Sequence, residues 1–241
     1  MSVIKLMSRI VAPSHLVENL DDSKKAAASL HDHTYGITSD PLTQFACAFS
    51  ALIHDVDHVG VSNAQLVKEG VPLVDRYGER SVAEQNSLDL SWDLLMSNQY
   101  DVLRAFLFPT KSCMVRFRQL VVNSVMSTDI VDKDMKTLRN GRWEKAFKTG
   151  DFANHVDENP RDEVNRKATI VIEHIIQASD ISHTMQHWHV YRKWNQNLFE
   201  ELYVAYLNGR MDKDPAEFWY KGEFGKYGPM RSAAVADLDF R

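Results

Sequence analysis

The 241-residue sequence is short of turn-forming residues, with 10 glycines and 7 prolines. That is below ordinary usage, and it argues against a turn-rich sheet protein and for helices. Cysteine is nearly missing. Cys47 and Cys113 stand in no metal-ligand spacing, which excludes a disulfide framework and predicts a reducing, intracellular and cytoplasmic setting. No apolar run approaches the roughly 18 residues of a membrane-spanning helix. A basic excess is absent as well. With 28 Lys and Arg against 33 Asp and Glu the net charge is −5, so no surplus cation stands ready for phosphates and nucleic-acid binding is not expected. What is there is ordinary globular material, 44% hydrophobic and 25% charged, which excludes disorder. The length suits a single domain whose core needs no staples.

Periodicity places the elements. Val3, Leu6, Met7, Ile10 and Val11 have helical spacing before Pro13, and Lys5 and Arg9 interrupt them, so this is not a signal peptide. Residues 18–44 are polar, then small, and predict a connecting loop with a short helix through Ala26–Leu30. A helix is predicted from Thr43 toward His58, stopped by Gly60. The next begins at Ser81, where Ser81 and Glu84 have capping-box spacing, and carries Leu88, Leu90, Trp92, Leu94 and Leu95. Helical stretches follow over 99–107, 113–128, 164–180 and 187–208. The basic segment 133–148 and the acidic segment 151–162 are expected to be solvated faces. After Trp219 the text no longer resembles a helix. The expected architecture is all-α, in one domain without repeats.

The densest chemistry is His54-Asp55-Val56-Asp57-His58. On a continuous helix, at about 100° per residue, Phe45, Phe49, Leu52, Ile53 and Val56 form one stripe, the expected core. His54 and His58 fall opposite, with Asp55 beside them and the small residues Cys47, Ser50 and Ala51 on the same side. Small residues let another helix approach, so this second face is expected to be interior. Imidazoles and a carboxylate there need partners, and a divalent cation would satisfy all of them. The competing reading is a polar outer face with satisfied histidines.

Asp180 is the second candidate. Ala168, Val171, Ile172, Ile175 and Ile176 form a buried stripe, and Ile172, Ile176 and Asp180 lie at i, i+4, i+8. A carboxylate continuing an apolar face calls for a compensating charge or a metal. Alternatively the helix stops earlier and Asp180 begins a turn or caps the next helix. Carboxylates with imidazoles suit hard or borderline ions such as Zn²⁺, Mg²⁺ or Mn²⁺. Two such ions sharing a carboxylate would suit phosphoester hydrolysis.

His54-Asp55-x-Asp57-His58-x-Gly60-x-x-Asn63 resembles the metal motif of the class I 3′,5′-cyclic-nucleotide phosphodiesterases of the HD-domain superfamily. The resemblance continues in order through Ser81-Val82-x-Glu84, Ser127-Thr128-Asp129, Ala178-Ser179-Asp180-Ile181-Ser182, and Tyr191-Arg192-x-Trp194 followed by Glu200-Glu201. It covers about residues 43–222. It implies a compact multi-helix bundle of phosphodiesterase type, with residues 1–222 a partial catalytic domain and 223–241 a divergent tail. It implies hydrolysis of cyclic AMP or cyclic GMP to 5′-nucleoside monophosphates by a hydroxide held between two metals, in signal transduction. His54, Asp55 and Asp180 would bind the first ion, usually zinc, and Asp55 also the second, usually magnesium or manganese. Asp57, His58, Glu84 and Thr128 would stand in the surrounding shell, the last three on waters of the second ion. A capping box is the rival explanation for Glu84, and a polar helix end that for Thr128. Asp55, Asp180, His183, Trp194, Leu198, Leu202 and Glu223 would face the nucleotide, although the apolar three have the spacing of plain core.

The sequence also departs from the family. The general-acid histidine belongs to an upstream H-N-x-x-H motif that this chain does not contain: His15, His31 and His33 precede His54, and none is followed by Asn. Met1 stands where the text after that motif would begin. Glu223 and Lys226 occupy the positions of the purine-binding Gln and the base-clamping Phe, and His183 replaces an Asn. These departures motivate a second expectation, a non-enzymatic domain that binds metal or nucleotide.

Overall fold

The computed structural model describes residues 20–148 and 160–217, which are helical without a strand. Ten α-helices follow one another among them: α1 Leu20–His33, α2 Pro41–Ile53, α3 Asn63–Glu69, α4 Pro72–Tyr77, α5 Val82–Met96, α6 Asp101–Leu107, α7 Lys111–Met126, α8 Lys133–Trp143, α9 Pro160–Asp180 and α10 Trp188–Leu207. The all-α expectation holds, and so do the helices read over 99–107, 113–128, 164–180 and 187–208. The helix read before Pro13, most of the acidic stretch at 151–162 and the text after Trp219 lie outside the described residues.

The centre of the bundle is α2. Asp40 caps it, its carboxylate accepting from the amides of Leu42 (3.1 Å) and Thr43 (3.4 Å), and Pro41 occupies the first turn, where no amide is needed. Arg116 of α7 pairs with the same Asp40 and donates to the Thr43 hydroxyl at 3.0 Å. On one flank Ala46 and Ile53 pack with Leu95 of α5 and Phe117, Val121 and Val125 of α7. On the other Cys47 meets Ile172, Ile175 and Ile176 of α9, with Ile37 closing the cluster. A third cluster joins Val61 and Leu66 to Val82 and Ala83, and Ala205 docks α10 onto it.

Several expectations need correction. The loop expected over 18–44 contains the full helix α1. The small-residue side of α2 is interior as expected, with Ala46, Cys47 and Ser50 buried, but of the stripe expected as core only Ile53 is buried, whereas Leu52 is 77% exposed. A helix gripped between two others must present small side chains to both. Phe45 and Phe49 lean sideways onto Phe117, at 5.8 and 5.6 Å between ring centres. The helix also stops at Ile53 rather than running to His58. Asp57 at φ 62° and Gly60 at φ 73° turn the chain left-handed, and Ser87 donates to the Val56 carbonyl at 2.7 Å. His54 and His58 therefore do not share a helical face. Nor is segment 133–148 merely a solvated face: Arg142 pairs with the buried Glu173, and Trp143 packs on His174 at 4.6 Å.

Candidate metal centre

Two helices end at one point. His54 follows the last residue of α2, its amide donating to the Ser50 carbonyl at 3.0 Å, and Asp180 is the last residue of α9. The apolar stripe sets this meeting. Ile172 and Ile176 pack on Cys47, so one helical turn further Asp180 comes abreast of the end of α2. The helix read from sequence thus reaches Asp180 and ends there, and the Ile181–Met185 turn follows. Both helices bring the negative end of their dipoles to the site, which favours a cation.

The His54 ring donates from Nδ1 to the Ala51 carbonyl at 3.1 Å. That leaves Nε2 facing Asp55 Oδ2 at 3.2 Å and Asp180 Oδ1 at 3.3 Å. Ligand atoms of the three side chains lie within 4.8 Å of one another. A ring nitrogen fixed by a backbone carbonyl on its other side, with two carboxylate oxygens beside it, is a donor set suited to a divalent cation. Without one, a proton takes its place. The carboxylates of Asp180 and then Asp55 hold the His54 pKa up at about 10, and His54 in turn lowers that of Asp55, with His58 assisting.

The remaining candidates are held individually. The His58 ring accepts the Gly60 amide on Nδ1 at 3.2 Å, which leaves Nε2 to donate outward. Glu84 accepts from Asn63 Nδ2 at 2.9 Å, and burial, helped by nearby Asp129, raises its pKa. Its presence is not explained by a capping box: Ser81 is left-handed at φ 45°, caps nothing, and donates to Asp129 at 2.7 Å. Thr128 gives its hydroxyl proton to the Val125 carbonyl at 2.7 Å, leaving its oxygen able to accept. The Asp57 carboxylate accepts from Asn86 Nδ2 at 3.0 Å. Trp194 and Leu198 are 57% and 40% exposed, and Leu202 is half-buried. The side chain of His183 and all of Glu223 lie outside the described residues. His31 and His33 sit in the last turn of α1, bonded to Ser39 and to the Ser29 carbonyl, and take no part in the His54 cluster.

The sequence reading gave no role to Arg139 and Gln177. Arg139 donates to the carbonyls of Ser127 (3.0 Å) and Asp129 (3.2 Å), and Gln177 to that of Ser127 at 2.6 Å. They pin the turn that carries Thr128, and nothing in their local text announces it. A cavity of about 480 Å³ lies between α2, α4, α5 and α7, lined by Arg76, Trp92 and Arg118 among others, and includes none of these carboxylates. Donor chemistry, not cavity size, marks the site.

The chain is similar to known proteins over most of its length. The family model described as 3′5′-cyclic nucleotide phosphodiesterase matches residues 24–214. A probable 3′,5′-cyclic-AMP phosphodiesterase of Caenorhabditis elegans is 30% identical over 165 residues, 67% of this chain and 23% of that protein. Isoform F of a 3′,5′-cyclic-AMP phosphodiesterase of Drosophila melanogaster is 28% identical, over 68% of this chain and 24% of its own length. The chain thus matches about a quarter of these relatives. The fold resembles the phosphodiesterase domain of a RhoPDE fusion protein from the choanoflagellate Salpingoeca rosetta, with a TM-score of 0.56 at 19% identity over 83% of this chain and 66% of that one. It also resembles LmjPDEB1 in complex with IBMX, at 0.55 and 21% over 74% and 50%. The matched segment spans well over half of the sequence and contains every residue of the His54 cluster, so the chain belongs to the 3′,5′-cyclic nucleotide phosphodiesterase family.

Proposed function

We propose that this chain carries the metal-binding part of a catalytic domain that hydrolyses 3′,5′-cyclic nucleotides to 5′-nucleoside monophosphates. The observation that carries the reading is the convergence of His54 Nε2, Asp55 and Asp180 within a segment matched by the family. His54, Asp55 and Asp180 would hold a first ion, zinc, and Asp55 would share a second, magnesium or manganese. Such ions supply Lewis acidity and acidify coordinated water near neutral pH. The residues of the chain then have distinct tasks. Ala51 fixes the tautomer of His54, His58 and Glu84 offer polar atoms to ordered water, and Thr128 offers an acceptor oxygen. Trp194, Leu198 and Leu202 on α10 would present apolar surface to the nucleotide base, with His183 and Glu223 nearby in the family's order. The names of the relatives support cyclic AMP as the first substrate to try. Two free cysteines support an intracellular, cytoplasmic place.

A second reading rests on one fact of the sequence. No histidine in it is followed by asparagine, so the proton for the departing 3′ oxygen is assigned to no residue of the chain. A metal- and nucleotide-binding domain without turnover is the corresponding function. The test is to load the dialysed chain with Zn²⁺ and Mn²⁺ and follow 5′-AMP formation from cyclic AMP, beside Asp55→Ala. Turnover abolished in the variant supports hydrolysis by this chain. Stoichiometric metal and cyclic AMP binding without turnover supports the second reading. Failure to bind either ion refutes both.

A further inference from the structure

Asn63 opens α3, just after its capping residue Ser62. Its side-chain amide is used in full. Nδ2 donates to Glu84 Oε2 at 2.9 Å and to Asp129 Oδ2 at 3.2 Å, while Oδ1 accepts the Ala83 amide at 2.9 Å. The partners come from two separate segments, the first turn of α5 and the turn that follows α7. Asp129 is fixed from its other sides by the Ser81 hydroxyl and by the amides of Val131 and Asp132 at 3.2 Å. It is a rigid anchor, and Asn63 is the link between that anchor and Glu84.

The chemistry of the link is specific. Glu84 and Asp129 are two carboxylates in one partly buried region, and unscreened they repel. A primary amide places one N–H on each and still accepts from the backbone, in one plane. Lysine would supply the donors without the acceptor, aspartate the acceptor without the donors. With Oε2 held by Asn63, and its own backbone amide as a further donor, the Glu84 carboxylate is fixed in one orientation. His58 acts electrostatically on both Glu84 and Asp55, which ties this pair of carboxylates to the His54 cluster.

We propose that Asn63 is a positioning residue for the second divalent ion, its amide orienting the Glu84 carboxylate toward the water around that ion. This rests on the two-ion reading above. Outer groups of this kind change metal affinity by about 10–100-fold when removed.

The test uses the whole chain, stripped of metal, given one equivalent of Zn²⁺ and titrated with Mn²⁺ while free Mn²⁺ is followed by electron paramagnetic resonance. Asn63→Ala is expected to weaken Mn²⁺ binding at least about 10-fold while the zinc equivalent stays bound. In a Glu84→Gln background the same substitution is expected to change nothing further, because Asn63 acts through Glu84. Should Asn63→Ala lose its helical circular dichroism, Asp129→Asn takes its place. It removes an acceptor from Asn63, and is expected to weaken Mn²⁺ binding at least threefold and to be silent beside Glu84→Gln. Mn²⁺ affinity within twofold of wild type, effects that add to those of Glu84→Gln, or joint loss of zinc and manganese would overturn the assignment. If the wild-type chain binds zinc but no Mn²⁺, the two-ion reading itself falls, and the assignment of Asn63 with it.

Discussion

Arg142 tests whether a charge-rich segment is a solvated face or part of the structure. Its Nη1 lies 3.0 and 3.3 Å from the two carboxylate oxygens of Glu173, and Glu173 is 3% exposed in the middle of α9. Removing one partner of a fully buried pair costs about 3–5 kcal/mol, because the other charge is left in a medium that does not solvate it. The Arg142 side chain is 41% exposed, so solvent recovers part of the loss, and about 2–3 kcal/mol is the expected destabilisation by Arg142→Met. Urea unfolding followed by tryptophan fluorescence measures it. Glu173→Leu combined with Arg142→Met should regain most of the stability, since no charge is then stranded on α9. An Arg142→Met midpoint within about 0.5 kcal/mol of wild type, the range for ordinary surface positions, would show that the pair contributes nothing and that the segment is the solvated face its composition suggests.

Three further outcomes are expected. Gly60 is left-handed, and a Cβ there would lie 2.3 Å from Glu201 Oε1. Gly60→Ala should cost about 1–2 kcal/mol from the backbone alone, and a cost that vanished in a Glu201→Ala background would refute the backbone cause. Burial pushes the Cys47 thiol up to about 12, so a thiol reagent such as dithionitrobenzoate should label Cys113 in the native chain and Cys47 only on unfolding; prompt labelling of both would contradict the packing of α2 on α9. Arg210 holds the Glu69 carboxyl down at about 2 from an ordinary 4.5. The pair should therefore support the fold fully above pH 4.5 and lose that support as pH falls toward 2, and Arg210→Ala should flatten this part of the acid-unfolding curve.

How much of this was legible in the sequence can be traced residue by residue. The spacing of Ile172, Ile176 and Asp180 correctly placed the carboxylate in line with the buried stripe, because α9 is one unbroken helix, but the burial expected of it is not found: Asp180 lies at the helix end with its side chain 42% exposed. The same arithmetic failed at His58. Asp57 is left-handed although it is not glycine, and its conformation is fixed by Asn86, 29 positions away, so no local signal marks the end of α2. Large side chains misled the reading of the α2 core for a related reason. Which face is buried depends on what flanks the helix, and between α7 and α9 the buried positions are mostly small, Thr43, Ala46, Cys47 and Ser50, with Ile53 the one large side chain. Ser81 and Glu84 had the spacing of a capping box but were engaged by Asp129 and Asn63, partners that only the tertiary fold supplies.

The position of the site follows from these same constraints. Close packing of α2 against α9 requires small residues on α2, and small residues let both helices end side by side rather than diverge. Where two helix ends coincide, several carbonyls lack partners and two negative dipole ends add. A hydrophobic continuation is costly there, and a lone carboxylate more so, since Asp55 and Asp180 would repel each other across the gap. The arrangement is stable only with positive charge between them: a proton on His54 Nε2, or a divalent ion taking that proton's place. Substituting Cys47 by a larger residue such as leucine should therefore disturb the centre without touching a ligand, by levering the end of α9 away from α2. The expected result is zinc affinity lowered severalfold with the helical content intact. Unchanged zinc binding in a folded Cys47→Leu variant would show that Asp180 reaches the site independently of how these helices pack.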